Sequence, residues 1–289
     1  MAIFIAVAEE EGFAGAARLL NISPPAVTRA VAALEEHLGV KLFNRTTRFV
    51  RLTEAGQRYF EDARRIIAAA DEADEAATGI NAEPKGHLVV TAPVLFGRLY
   101  VMPGISDYLQ RYKDTEVTAL FLDRIVNLLE EGVDVGIRIG ELPDSSYKAL
   151  RAGQVRRVLC ASPAYLAEHG IPSKPEDLIK HQLIVAGAIS PTVDWRFEDS
   201  GSNLTIRIKP RLRVTSNDSA IEAAVMGLGI TRILSYQIAT QLASGEIQII
   251  LNEFEPKPMP INIIHREGRY ASAKIRSFVD IIATRLRGN

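Results

Sequence analysis

Arg29 and Thr28, with Ser23, Pro24, Pro25 and Ala26 just ahead of them, open a segment whose opposite face is apolar. Soon after it, the run from Lys41 to Leu52 carries four cations and no carboxylate. A guanidinium is a planar fork of donors that matches a guanine edge or a pair of phosphate oxygens, and a threonine suits a phosphate or a thymine methyl. A helix with small residues and one arginine near its start fits a major groove about 12 Å wide. Arg45, Thr46, Thr47 and Arg48 form a basic, polar tip suited to backbone or minor-groove contact. A small helical domain with a solvated basic loop would present some of the same features, so the elements around these residues matter.

Those elements are legible. Phe13, Ala16, Ala17 and Leu20 share one helical face. Asn21-Ile22-Ser23 reads as a tight turn, with Ser23 as N-cap and Pro24 at the first helical position, where its missing N–H costs nothing. Val27, Val31, Leu34 and Leu38 then make an inward stripe, and Gly39 reads as a left-handed helix stop. This spacing turns Pro25, Arg29, Ala32 and Glu36 outward. Alternation around Thr46-Thr47 predicts a strand pair, the outline of a winged helix-turn-helix. Thr53 caps a long helix to about Thr78. Phe60, Ala63, Ile67, Ala70, Asp74 and Ala77 recur on it at heptad-like steps, a seam suited to pairing two copies or to packing on its own domain. Gly79 to Gly86 reads as a hinge.

The segment ISPPAVTRAVAALEEHLGVKLFNRTTRFVRLTEAG resembles the DNA-binding part of LysR-type transcriptional regulators. The resemblance continues through GELPDSS, RRVLCASPAYLAEHG and TSNDSAIEAAVMGLGI, so it spans essentially the whole chain. It implies an all-α winged helix-turn-helix over 1–52 and a linker and dimerisation helix over 53–80. It also implies a two-lobed α/β effector domain over 86–289, similar to periplasmic binding proteins. Lobe I is expected at about 86–161 and 266–289, lobe II at about 162–265. Implied partners are promoter DNA, a small-molecule effector and a second copy of the chain, with homotetramers as the family expectation. Relatives carry residues ahead of the first helix, whereas Ile3, Phe4 and Val7 read as a helix already under way. A natural start upstream of Met1, or a frayed first helix, is the expectation.

From His87 onward, apolar runs alternate with helical patterns, which argues for a mostly parallel sheet covered on both faces. Helices are expected over Gly97 to Tyr112, Ile125 to Glu131, Pro163 to His169, Ser219 to Met226 and Ala273 to Leu286. Ligands of such sheets bind beyond the carboxyl ends of the strands. Three such ends are readable: Thr91-Ala92-Pro93-Val94 with Phe96, Arg138-Ile139-Gly140, and Asn217-Asp218. They match the segments that line the effector cleft of the family. Thr91 would lie near the floor, Pro93, Phe96 and Asn217 would shape the pocket, and Arg138 would hold a carboxylate, making an organic acid the expected effector. Asp218 argues against an anion at its own position. Each residue also has a plain structural role open to it: a strand end, a helix cap, or an Arg138–Glu141 pair.

Composition narrows the rest. A chain of 289 residues with a formal net charge of −1 suggests two domains, with nucleic-acid contact confined to a local basic patch. No apolar run is long enough for a bilayer and no signal peptide opens the chain. Cys160 is the only cysteine, which excludes an intrachain disulfide and fits a cytoplasmic protein. It lies in an apolar strand, where an inert thiol is expected over a nucleophile. His37, His87, His169, His181 and His265 show no metal-ligand spacing, and Gly227-Leu228-Gly229 lacks the pattern of a phosphate loop. No cofactor or metal is expected. The reading that competes with a regulator is a small-molecule-binding or enzymatic α/β protein with an N-terminal association module.

Overall fold

The computed structural model describes residues 1–45, 49–78, 83–142, 147–187, 193–199, 201–265 and 271–287. It divides into two compact units, Met1–Ala82 with Tyr270–Ala273 and Glu83–Arg269 with Lys274–Asn289. The first unit contains helices α1 (Ala2–Glu9), α2 (Phe13–Leu19) and α3 (Pro24–Leu38). A hairpin of β1 (Phe43–Arg45) and β2 (Val50–Leu52) follows, then the long α4 (Glu54–Thr78). Phe4, Val7, Ala16, Ala17, Val27, Val31, Leu42 and Phe43 form its core, with Phe13, Leu20 and Leu34 packed against it. The Asn21 turn is left-handed (φ 53°), a conformation asparagine tolerates. Gly39 ends α3 at φ 68°, also as expected.

Two details of α3 differ from expectation. Ser23 occupies the N-cap with extended backbone, but its hydroxyl makes no capping bond; its carbonyl instead receives the Ala26 and Val27 N–H groups. Leu38 is exposed, because it lies past the three-helix core. The inward stripe ends on Glu35, four residues after Val31, which is buried at 3% exposure.

The second unit holds two five-stranded sheets. The first has the order β4 (Thr115–Phe121), β3 (Gly86–Ala92), β5 (Val135–Ile139), β14 (Met259–His265), β6 (Lys148–Val155). The other has the order β11 (Leu212–Val214), β8 (Leu183–Ala186), β12 (Ile230–Leu234), β7 (Arg157–Ala161), β13 (Gln248–Ile250). A separate antiparallel hairpin pairs β9 (Val193–Asp199) with β10 (Ser202–Ile208). Each sheet is mixed rather than mostly parallel: β3 runs parallel to β4 and β5, but β14 pairs antiparallel with β5 and β6. Likewise β8 runs parallel to β11 and β12, while β7 is antiparallel to β12 and β13.

This topology moves the lobe boundaries. β7 belongs to the second sheet, so the chain crosses at Val155-Arg156, not near residue 161. β14 belongs to the first, so the return falls between Ile250 and Met259, not near residue 265. Ladder pairing, which joins residues far apart in the chain, assigns these strands to their sheets. The helices are α5 (Val94–Phe96), α6 (Met102–Arg111), α7 (Pro163–His169), α8 (Asn217–Val225), α9 (Ala239–Ser244) and α10 (Ala273–Arg287). A π-helical turn, Gly97–Val101, precedes α6. The helix expected over Ile125 to Glu131 is absent. Asn127 Oδ1 accepts the Leu129 N–H at 3.1 Å and Arg124 clamps Glu131 at 2.5 and 2.7 Å, so side chains close this segment as turns.

Candidate functional site

The N-terminal half of α3 presents an open polar face. Ser23, Pro24, Pro25, Thr28, Arg29, Ala32 and Glu36 are exposed, with Ala26 half-buried. Thr28 Oγ1 donates to the Pro24 carbonyl at 3.1 Å, which leaves its methyl and oxygen lone pairs outward. Among the described residues, no ion pair or hydrogen bond holds the Arg29 side chain. The side chain of Arg45, and Thr46, Thr47 and Arg48 altogether, lie outside the described residues. The flanks of that tip are described: Arg45 pairs with Val50 in the ladder, and the Arg51 guanidinium lies 5.7 Å from the exposed Phe49 ring.

The root of the hairpin is held from two sides. Glu35 Oε1 accepts the Leu42 and Phe43 N–H groups at 2.9 and 3.1 Å, and Oε2 takes Lys41 Nζ at 2.9 Å. From the other side, Thr53 Oγ1 donates to the Lys41 carbonyl at 2.7 Å and accepts the Gly56 N–H at 2.9 Å, so it caps α4 while holding the hairpin. Position 56 must be glycine, because a Cβ there would sit 2.0 Å from the Leu42 carbonyl oxygen. Side-chain bonds to the backbone thus fix the root of the hairpin relative to α3. Glu35 was missed in the sequence. The available signal was a carboxylate one turn after Val31 on the apolar face.

The seam on α4 divides. Phe60 and Ala63 turn into their own unit: Phe60 packs 6.5 Å from Phe4, beside Tyr59 at 5.3 Å, and Ala63 is fully buried. These two are intrachain core residues, since a heptad step does not say which surface a helix meets. Further along, Ile66 is 52% exposed, Ala70 is exposed and Ile67 is half-buried. The side chains of Asp74 and Ala77, and residues 79–82 of the expected hinge, lie outside the described residues.

In the second unit, the expected crevice residues fall into two groups. Pro93 and Val94, Ile139, and Asn217 and Asp218 are half-buried or exposed at the carboxyl ends of their strands. The rest are spent on the fold. Thr91 is fully buried and donates to the Leu120 carbonyl at 2.7 Å, and Ala92 is buried beside it. Gly140 is buried, bonded to Pro260 and Asn262. Phe96, at 1% exposure, stacks on Tyr100 at 4.9 Å and meets Tyr236 edge-on at 5.2 Å. Because Tyr236 follows β12, this contact joins the two lobes. Burial and nearby Asp123 raise the Tyr236 phenol pKa above its usual range, so it stays neutral. Arg138 donates to the Val126 carbonyl at 3.1 Å, not to Glu141. Burial pulls its pKa down, and Glu131 nearby opposes this. The cap of α8 is Ser216, whose Oγ accepts the Ser219 N–H, so Asn217 and Asp218 are first-turn residues and not caps.

Residues 1–57 match the family model described as bacterial regulatory helix-turn-helix protein, lysR family, and residues 81–287 match the LysR substrate binding domain. An uncharacterised HTH-type transcriptional regulator of Haemophilus influenzae is 32% identical over 277 residues, covering 95% of this chain and 96% of its own. CrgA of Neisseria meningitidis, a LysR-type transcriptional regulator, is 30% identical; its structure covers 99% of this chain and 97% of its own, with a TM-score of 0.64. The full-length Vibrio cholerae virulence activator AphB is 27% identical, with coverage of 98% and 97% and a TM-score of 0.61. The chain belongs to the LysR family of transcriptional regulators.

This LysR regulator is therefore a DNA-binding protein with an effector-binding domain, and not an enzyme. Its two sheets are the two lobes of that domain. The sole cysteine is consistent with this role: Cys160 is fully buried in β7, and burial pushes its thiol up to about 12, far from a reactive thiolate. No group of histidines, cysteines and carboxylates among the described residues could hold a metal ion, and no helix among them is long and apolar enough to cross a membrane.

Proposed function

We propose that this LysR regulator docks the exposed start of α3 in the major groove of its operator, with Arg29 on a base edge or phosphate. The hairpin tip, Arg45, Thr46, Thr47 and Arg48, contacts backbone or minor groove beside it. Ser23 contributes a hydroxyl free of capping duty, Pro24, Pro25 and Ala26 allow close approach, and Thr28 reaches a phosphate or thymine methyl. The observation that carries this reading is an exposed Arg29 side chain, without a partner among the described residues, beside a wing root held by Glu35.

Two copies pair through α4 beyond the domain core, along Ile66, Ile67 and Ala70, which sets the separation of two reading helices on operator half-sites. The family resemblance supports further assembly to a homotetramer, and a site of action in the cytoplasm. A small organic acid binds in the crevice beside Pro93, Val94, Ile139, Asn217 and Asp218, shifting lobe closure and hence DNA spacing. The test is fluorescence anisotropy on the protein's own upstream intergenic DNA. Arg29→Ala should weaken specific binding by about 1–3 kcal/mol. Unchanged affinity, or no binding by the unaltered protein with and without metabolite extracts, overturns the groove assignment.

A further inference from the structure

Among the described residues, two arginines in lobe II have no carboxylate partner, unlike most half-buried arginines. β7 pairs antiparallel with β12, placing Arg157 opposite Leu234 and Arg232 opposite Leu159. Alternation puts both arginines on one face of the sheet, diagonal neighbours within reach of long side chains. This face carries Leu159 and Ile230, which share the lobe II core with Trp195 and Phe197 of the β9 hairpin. Both arginines are half-buried in that apolar setting.

Each guanidinium presents five N–H donors. Among the described residues, Arg157 Nη2 has one acceptor, the weak thioether of Met259 at 3.3 Å, and Arg232 Nη2 has one, the Arg196 carbonyl at 2.6 Å. The Arg232 guanidinium otherwise lies over Phe197 and Trp195 at 5.2 and 5.9 Å. Burial depresses both cations, and the proximity of Arg157 adds to the effect at Arg232, which falls to about 10. Two like charges held together in low dielectric cost free energy that an anion between them returns. Their place in the fold suits such a role. Met259 opens β14 of lobe I, and Tyr236, just beyond Leu234, packs on Phe96 and Tyr100 of lobe I. The pair therefore lies beside the lobe crossing, where an added ligand bears on closure.

We propose that Arg157 and Arg232 together receive the carboxylate of a small organic acid at the lobe II side of the crossing. The proposal rests on the effector reading above and replaces Arg138, whose donors serve Val126, as the anion-reading group.

The test uses the full-length protein, its Arg157→Met and Arg232→Met variants, and the control Arg138→Met, in thermal unfolding and titration calorimetry. Benzoate, succinate and sulfate are the probes, each at about 10 mM, since stabilisation grows with ligand over its dissociation constant. Without added anion, removing either cation should leave the melting temperature unchanged or raise it, whereas a packing role would lower it. At least one carboxylate should stabilise the unaltered protein more than sulfate does. Its affinity should fall at least tenfold in both lobe II variants and stay level in Arg138→Met. Should a methionine variant fail to fold, Arg157→Lys keeps the charge but loses the fork and should still weaken carboxylate binding. Overturning results are no stabilisation by either carboxylate, a stronger effect of sulfate, or unchanged carboxylate affinity in the lobe II variants. If that unchanged affinity is lost in Asn217→Ala, the crevice reading survives and only the arginine pair falls.

Discussion

The two units handle their cations in opposite ways. In the N-terminal unit, Arg29 stands in solvent on a helix whose scaffold is locked by Glu35, Thr53 and Gly56. In the effector domain, Arg138, Arg157 and Arg232 are folded into half-buried settings that weaken their hold on protons. DNA arrives with its own dense charge, and an exposed arginine loses little by meeting it. A small ligand offers one charge, and a site already stripped of water makes that charge count. The first region is a rigid frame for a solvated surface, while the second stores electrostatic cost in its interior.

The sharpest way to break this contrast is at Phe96. If it belongs to the inter-lobe core, Phe96→Ala should cost about 3–5 kcal/mol in urea unfolding of the effector domain. A nearly neutral result would return it to the list of open crevice residues. Glu35→Ala should cost about 2–3 kcal/mol, because two backbone N–H groups lose their acceptor, and should weaken DNA binding as well. Glu35→Gln should recover most of the stability, since its carbonyl oxygen accepts both bonds. Equal losses in the two variants would show that charge, not hydrogen bonding, holds the wing. Ile66→Asp places a carboxylate on the proposed pairing stripe and should shift sedimentation toward monomer at micromolar protein with little change in unfolding midpoint. Retention of the dimer would remove that stripe from the interface.

The smallest effect concerns pH. Burial lowers the pKa of His181 and His265 below the ordinary 6.5, with His169 adding to the effect at His181 and Lys148 at His265. The unfolded chain then takes up protons first as pH falls through about 6.5, so stability declines from there until the folded imidazoles titrate too. His265→Gln should flatten part of that decline, seen as a smaller loss of urea midpoint between about pH 7.5 and 5.5. An unchanged slope would mean that His265 titrates alike in both states.

Much of the first unit was legible. The turn at Asn21, the proline start of α3, the Gly39 stop and the Thr53 cap are local events, dictated by residues a few positions apart. What escaped was non-local. The acceptor role of Glu35 depends on where the chain returns at Leu42. The inward turn of Phe60 and Ala63 depends on α1 lying across α4. In the effector domain only some of the strands were readable, and Ile125 to Glu131 has a helical pattern that the Arg124–Glu131 clamp and the Asn127 turn override.

The amino-acid order alone determined the helices of the first unit, several strands of the second, and where the basic run lies. These follow from side-chain periodicity and backbone preference, which act within a few residues. Tertiary structure decided which strand joins which sheet, moving the lobe crossing to Val155-Arg156 and the return to just before Met259. It also decided that Phe96 is covered by Tyr236, and that Arg157 and Arg232 meet on one face. Ladder pairing and burial are settled between residues far apart in the chain, and an apolar strand carries the same pattern whichever sheet it enters.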